Sequence, residues 1–406
     1  MPRSPVRPPR QPNKSSNQGD TWTRTAAPHL WDSPSGRLDL KRFPPRNNAT
    51  LQAWDAGDTW LLERLKTTER PEHLLLVNDS WGALLCGAQQ LFSNANSVTI
   101  SLVTDSYLAD QAYHQNTAAN ALKGAYSTVS PLETLPQDIN HVLMKLPKSQ
   151  SLLERQLAQL SRDLAPGTLL QVAAKSQLFT PGVREIFAHY CDSVEVSLIQ
   201  RKHRLLTARI RAQSWPEHDF QTTWQELGLT LTQHAGVFAR NQLDIGARFM
   251  IEVMERHLSS HPTGAKVADL GCGNGILGLI YAQWHPDAQV TWFDESKLAV
   301  ASCTRNIEQN LGTSERYQVL LDDCLSSVAT SSFDRVLCNP PFHQEHAMTD
   351  HIAKQMIRDS RRVLKPGGEL WLVANRHLPY YLILQKTFRL VEPVEQNSKF
   401  VVYRAV

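Results

Sequence analysis

Short apolar runs alternate with helical patterns along almost the whole chain, and they do so twice. Between 38 and 212 the runs 73–77, 97–103, 141–145, 168–173 and 193–198 read as strands, and 52–65, 107–122 and 151–164 as helices. From 225 onward, 266–270, 290–293, 318–321, 334–338, 369–373, 389–392 and 400–404 read as strands. Such alternation predicts an α/β fold with a mostly parallel sheet covered on both faces. The last two runs flank the polar turn Gln396-Asn397-Ser398, which predicts a closing antiparallel hairpin.

The two halves resemble each other. Ser101-Leu-Val-Thr-Asp-Ser-Tyr-Leu-Ala-Asp110 parallels Thr291-Trp-Phe-Asp-Glu-Ser-Lys-Leu-Ala-Val300, and 141–148 parallels 335–342. Asp79 precedes Lys145 by 66 residues, as Asp269 precedes Asn339 by 70. A tandem duplication of Rossmann-like units accounts for this. The copies differ where chemistry would lie. Gly271-Cys-Gly-Asn-Gly275 answers to a first-half loop, Asn78-Asp79-Ser80-Trp81-Gly82, whose Trp81 fills a cofactor's space. Asn339-Pro-Pro-Phe342 answers to Lys145-Leu-Pro-Lys148. The N-terminal copy is therefore expected to be degenerate. It would still present Lys145 and Lys148 at the carboxyl end of its sheet, where ligands bind in such folds.

A chain of 406 residues accommodates two domains and a tail. The expected division is a disordered basic tail (1–37), a degenerate domain (38–212) and a catalytic domain (213–406). Residues 1–50 hold nine Lys or Arg and three Asp or Glu, so the remainder is slightly acidic. Nucleic acid would then be met by local patches, or by the tail gripping phosphates, rather than by a broadly basic surface. No apolar run is long enough to span a membrane. Six cysteines without ligand spacing point to reduced thiols, no metal, and a cytoplasmic protein.

The chemistry concentrates at two strand ends. Gly271, Gly273 and Gly275 follow one strand and open a helix, letting backbone approach a ligand. Gly273-x-Gly275-x-x-Gly278 with Asp294 further on also fits a nicotinamide dinucleotide site. Asp269, two residues before the first glycine, leans instead to S-adenosylmethionine (SAM), whose amino-acid end it would meet. Asp294, or its neighbour Glu295, would accept from ribose hydroxyls. Asp323 would accept from the adenine amino group or cap a helix.

Asn339-Pro340-Pro341-Phe342 discriminates further. The prolines fix the backbone and remove two donors. The Asn339 side-chain oxygen and the Pro340 carbonyl could then accept both hydrogens of one planar NH₂ group while Phe342 stacks on its ring. Holding the amino group in this way aims its nitrogen at a sulfonium methyl. His343 and His346 read either as substrate contacts or as polar loop residues. Two basic clusters, Arg201-Lys202-His203-Arg204 with Arg209 and Arg211, and Arg358, Arg361, Arg362 with Lys365, read as phosphate contacts or solvated faces.

Several segments resemble one family. Gly236–Arg248, Asp269–Gly278, Phe293–Ser296 and Cys338–His346 resemble the bacterial RlmG/RsmC family of ribosomal RNA guanine-N2 methyltransferases. Leu40–Pro44, Leu51–Asp55, Ala374–His377 and Asn397–Val402 favour its large-subunit branch, and the resemblance covers 38–406. It implies two tandem class I methyltransferase domains, the first degenerate, with SAM as methyl donor and a 23S rRNA guanosine as acceptor. It also implies that Phe238 and Asp244 lie near the cofactor. Ala239 departs from the family's usual Ser.

The expected function is therefore SAM-dependent N2 methylation of a guanosine in 23S rRNA by a cytoplasmic monomer acting on protein-free or partly assembled rRNA. Asn339, Pro340 and Phe342 would hold the base, and Asp269, Gly271, Gly273, Gly275, Asp294, Asp323, Phe238 and Asp244 the cofactor. Lys145, Lys148, Arg201, Lys202 and Arg204 would meet RNA. The alternatives are another amino-group acceptor (16S rRNA guanine, adenine N6, a protein glutamine), a nicotinamide oxidoreductase, or a non-catalytic RNA-binding assembly factor.

Overall fold

The computed structural model describes residues 29–45, 51–93, 98–211, 213, 220–258, 264–341 and 346–406, without the side chains of 346–350. Phe342, His343, the His346 side chain and tail residues 1–28 lie outside the described residues.

The first half runs β1 (Leu30–Ser33), β2 (Gly36–Asp39), α1 (Ala56–Thr67), β3 (His73–Val77), α2 (Ala83–Leu91), β4 (Thr99–Val103), α3 (Tyr107–Ala119), β5 (Ser127–Val129), β6 (His141–Lys145), α4 (Gln150–Asp163), β7 (Leu169–Lys175), α5 (Pro181–Tyr190), β8 (Cys191–Val196) and β9 (His203–Ile210). The second runs β10 (Gln221–Glu226), β11 (Leu229–His234), α6 (Ile245–His257), β12 (Lys266–Leu270), α7 (Ile276–Trp284), β13 (Gln289–Asp294), α8 (Lys297–Leu311), β14 (Tyr317–Leu321), β15 (Phe333–Cys338), α9 (His346–Val363), β16 (Leu364–Asn375), α10 (Tyr380–Gln385), β17 (Val391–Gln396) and β18 (Phe400–Ala405).

The two seven-stranded sheets share one topology. Their orders are β5-β4-β3-β6-β7-β9-β8 and β14-β13-β12-β15-β16-β18-β17. Five parallel strands end in an antiparallel pair in each. Strands such as Leu74-Leu75-Leu76 bury both faces because helices cover both, and each sheet has an apolar core on either side.

Register makes the duplication explicit. Leu76 pairs with Leu102 and Leu143, as Asp269 pairs with Trp292 and Leu337. Lys145 thus stands where Asn339 stands. The counterpart of Asp269 is Leu76, not Asp79. Asp79 takes the place of Cys272 and accepts from the backbone N–H groups of Gly82, Ala83 and Leu85, closing the vestigial loop on itself.

Each unit also begins with a two-stranded hairpin that the sequence reading missed. Trp31 and Leu38 are buried, so the stretch 30–39 is folded although the unfolded tail was expected to reach 37. Matched asparagines hold both hairpins. Asn120 exchanges hydrogen bonds with the Asp39 backbone, and Asn310 with that of Thr230. Asn116 and Asn306 likewise bind Lys41 and Thr232, and reach the glycine-loop positions Trp81 and Asn274.

The domains meet through equivalent loops. Backbone N–H groups of Tyr107 and Lys297 donate to the carbonyls of Glu295 and Asp105, both at 2.9 Å. Ser106 Oγ donates to Glu295 (2.6 Å) and Ser296 Oγ to Asp105 (2.7 Å). The arrangement is a pseudo-twofold exchange in which each domain's acid reaches the other's helix N-terminus.

Candidate active site

The sheet order reverses between β12 and β15, and the crevice at their carboxyl ends is where such folds bind ligands. A cavity of about 540 Å³ lies there, walled by the glycine loop, Asp294, Asp323, Asn339 and Pro340, and by Phe238 and Asp244. The N-terminal domain adds Pro44, Asp105 and Leu108 to its wall.

Gly273 and Gly275 adopt φ of +57° and +87°, which side chains disfavour, and a Cβ on Gly275 would lie 2.6 Å from Cys303 Sγ. Asp269 is buried and accepts from Gly278 N–H at 2.8 Å. Burial pushes its carboxyl up to about 7, opposed by that hydrogen bond and reinforced by Asp294. Asp294 accepts from Gly273 N–H and Ser296 N–H, both at 2.9 Å, so it braces the loop whose ligand it would also touch. Asp323 accepts from Gln355 (2.9 Å). The alternative, capping a helix, does not apply, because a turn follows β14; Asp322 closes that turn, accepting from Asp323 N–H, Ser326 and Ser327. Burial raises the thiols of Cys272 and Cys338 well above their ordinary value, so neither is a nucleophile at neutral pH.

Beside the glycine loop, Asn339 follows β15, whose Cys338 pairs with Leu270 of β12. Asn339 Nδ2 donates to Asp244 Oδ2 (3.2 Å), while its Oδ1 is buried with no partner among the described residues. Buried polar atoms are rarely left unpaired, and such an atom in a cavity wall points to a ligand. The Oδ1 can only accept, so it suits an N–H donor. The cavity's glycine loop, acids and apolar walls fit SAM: room for a nucleoside, carboxylates for ribose and amino groups, and an open backbone beside the tail.

The basic residues divide. Lys145 was expected to meet RNA, but its ammonium is paired with Asp55 (2.6 Å) and Asp58 (2.9 Å) and shielded from solvent. It is a structural cation. Burial opposes its charge, yet Asp58 and Asp55 hold its pKa above the ordinary value. Arg204 is turned inward, donating to Ser197 O (2.9 Å). Arg209 binds Gly167 O, Arg211 pairs with Asp192, Arg362 binds backbone carbonyls and Lys365 pairs with Asp334. Lys148, Arg201 and Lys202 remain exposed.

The sequence reading missed Asp105 and Leu108 as parts of this wall. The repeat alignment had set Asp105-Ser106 beside Glu295-Ser296, but alignment cannot reveal that equivalent loops touch.

Comparison with known proteins agrees with this architecture. The family model described as RLMG N-terminal domain matches residues 29–212, and that described as Methyltransferase small domain matches 228–404. A solved structure of the T. thermophilus 16S rRNA N2 G1207 methyltransferase (RsmC), with AdoMet and guanosine, superposes with TM-score 0.72 at 23% identity, covering 93% of this chain and 96% of that one. That likeness establishes the two-domain fold. Ribosomal RNA large subunit methyltransferase G of Vibrio cholerae is 37% identical over 91% of this chain and 96% of its own. Its namesake from Aeromonas salmonicida is 39% identical over 93% of this chain and 99% of its own length. Identity at that level along nearly the whole of both sequences makes this chain a member of the ribosomal RNA large subunit methyltransferase G family.

Proposed function

We propose that this enzyme transfers the methyl group of SAM to the N2 amino group of a guanosine in 23S rRNA. The observation that carries the reading is the buried Asn339 Oδ1, without a partner among the described residues, in the wall that the glycine loop also lines. SAM supplies an electrophilic methyl on a sulfonium. Asn339 Oδ1 and the Pro340 carbonyl accept the two amino hydrogens and aim the nitrogen at it. The nitrogen loses its proton after transfer, so no strong base is needed. Phe342 would hold the plane of the ring. The 23S assignment follows the name of the relatives.

In this reading 213–406 is the catalytic unit and 38–212 orients RNA through Lys148, Arg201 and Lys202. The base is flipped out, which is cheapest in a loop, so protein-free or partly assembled rRNA is the substrate. The enzyme works as a cytoplasmic monomer; among the described residues no helix is long and apolar enough to cross a membrane. The test is transfer of labelled methyl to 23S rRNA, 16S rRNA and intact subunits, with nucleoside analysis. N2-methylguanosine in 23S rRNA, formed far more slowly by Asn339→Ala while SAM still binds, is the expected result. Label in 16S rRNA or in another nucleoside would overturn the substrate.

A further inference from the structure

We propose that Asp244 is a positioning residue for methyl transfer, fixing which end of the Asn339 amide faces the substrate. The inference rests on the reading of Asn339 as the acceptor for the amino group. An amide has a donor end and an acceptor end of nearly equal shape, and little but hydrogen bonding distinguishes its two orientations. Only one serves here: Oδ1 can accept from a substrate NH₂ group, whereas Nδ2 would confront it donor to donor. Asp244 Oδ2 lies 3.2 Å from Asn339 Nδ2. A carboxylate accepts and cannot donate, so the flipped amide would set oxygen against oxygen. Asp244 therefore holds Nδ2 to itself and leaves Oδ1 as the amide's end without a partner among the described residues.

Two further observations separate this from simple helix capping. Asp244 does cap α6, its Oδ2 accepting from Ala247 N–H at 2.9 Å. Yet residue 246, inside the helix, is glycine, which costs helix stability relative to alanine. A Cβ there would lie 3.0 Å from Asp244 Oδ2, the oxygen that the Asn339 amide also contacts, so the glycine leaves room for that carboxylate. The N-terminal domain repeats the geometry without the chemistry. Asp55 caps α1, Gly57 stands two residues on, and Lys145 replaces the amide at 2.6 Å. An ammonium has no acceptor end to orient, and that domain has lost the loop for the cofactor.

The test uses the full chain with 23S rRNA and single-turnover methyl transfer. Serine caps a helix well but is too short to reach Asn339, so Asp244→Ser keeps the fold and releases the amide. Asparagine keeps an oxygen that can serve both contacts. Losing a hydrogen bond to a charged group should slow transfer in Asp244→Ser by about tenfold to a hundredfold. The thermal midpoint should stay close to wild type, any loss of SAM affinity should be much smaller than the loss of rate at saturating SAM, and Asp244→Asn should recover most of the rate. In an Asn339→Ala background, Asp244→Ser should cost nothing further, because it acts through the missing amide. An unchanged rate in Asp244→Ser, an equal loss in the Asn339→Ala background, or a loss of SAM affinity in place of rate would each overturn the inference. If Asn339→Ala itself transfers methyl at the wild-type rate, the acceptor reading falls first, and this inference with it.

Discussion

Replacing Asp105 with alanine should damage the cofactor site from the other domain. The Asp105 carboxylate accepts from Ser296 Oγ and from Leu298 N–H, both at 2.7 Å, at the first turn of α8. Ser296 N–H is held by Asp294 Oδ1, and the other oxygen of Asp294 holds Gly273 N–H. The chain of contacts thus runs from the N-terminal domain to the glycine loop. Each lost bond to a charged acceptor is worth about 1.5–3 kcal/mol, and a helix cap about 1 kcal/mol. Against this, Asp105 is itself buried, which raises its pKa, so removing it relieves a desolvation cost. The net loss should be about 2 kcal/mol, of which the part felt by the loop should weaken SAM binding by about threefold to tenfold. Calorimetric titration with SAM and amide hydrogen exchange at residues 294–299 measure both. Asp105→Asn, which keeps an acceptor, should lose less. Unchanged SAM affinity together with unchanged protection at Leu298 would refute the coupling.

Lys145→Met should destabilise the N-terminal domain by about 3 kcal/mol, because it leaves the buried Asp58 without its cation, while the more exposed Asp55 can turn to water. The folded fraction should bind RNA with an unaltered salt dependence, and a shallower slope would restore Lys145 as an RNA contact. Lys148, Arg201 and Lys202 changed together to alanine should lower the salt slope of RNA binding by about two to three, at roughly 0.7–0.9 per phosphate contact, while SAM affinity holds. An unchanged slope would move the RNA surface elsewhere. Stability should also fall as pH rises from about 4 to 7 and then level off. Burial raises Asp79, Asp269 and Glu295 to about 7, above their values in the unfolded chain, so the folded protein holds protons that the unfolded one releases across that window. For Glu295 the shift from 4.5 to about 7 corresponds to at most about 3 kcal/mol. Glu295→Gln should flatten the profile of thermal midpoint against pH, and an unaltered profile would exclude Glu295 as a source of the slope.

The parallel strands were legible because burial on both faces leaves nearly unbroken apolar runs, and β3, β6 and β12 begin and end as their sequences indicate. The hairpins β1–β2 and β10–β11 were not. They are short and of mixed polarity, half-exposed in β1, β2 and β10 but buried in β11, and asparagines distant in sequence hold them. Asn116 on α3 and Asn120 at its C-cap recur as Asn306 and Asn310 on α8, a repeat visible only once a role for the amides is known. The glycine loop and the Asn339-Pro340-Pro341 turn were legible as candidates because each is local, and both line the cavity. The side of the cavity formed by Asp105 and Leu108 was not, since it depends on how two domains dock.

The error over Lys145 has a more specific cause. A lysine at the carboxyl end of a parallel strand looks like a ligand contact when the strand is considered alone. Whether it is one depends on the cap of a helix 90 residues earlier, where Asp55 and Asp58 take up its charge. In the second copy the corresponding acid, Asp244, meets an amide whose oxygen has no partner among the described residues. Both copies keep the acid because both helices need their cap; only one has a neighbour with an acceptor to turn toward a substrate. The scaffold thus constrains the acid at this position, and the residue that follows the fourth parallel strand decides whether the pair can serve chemistry.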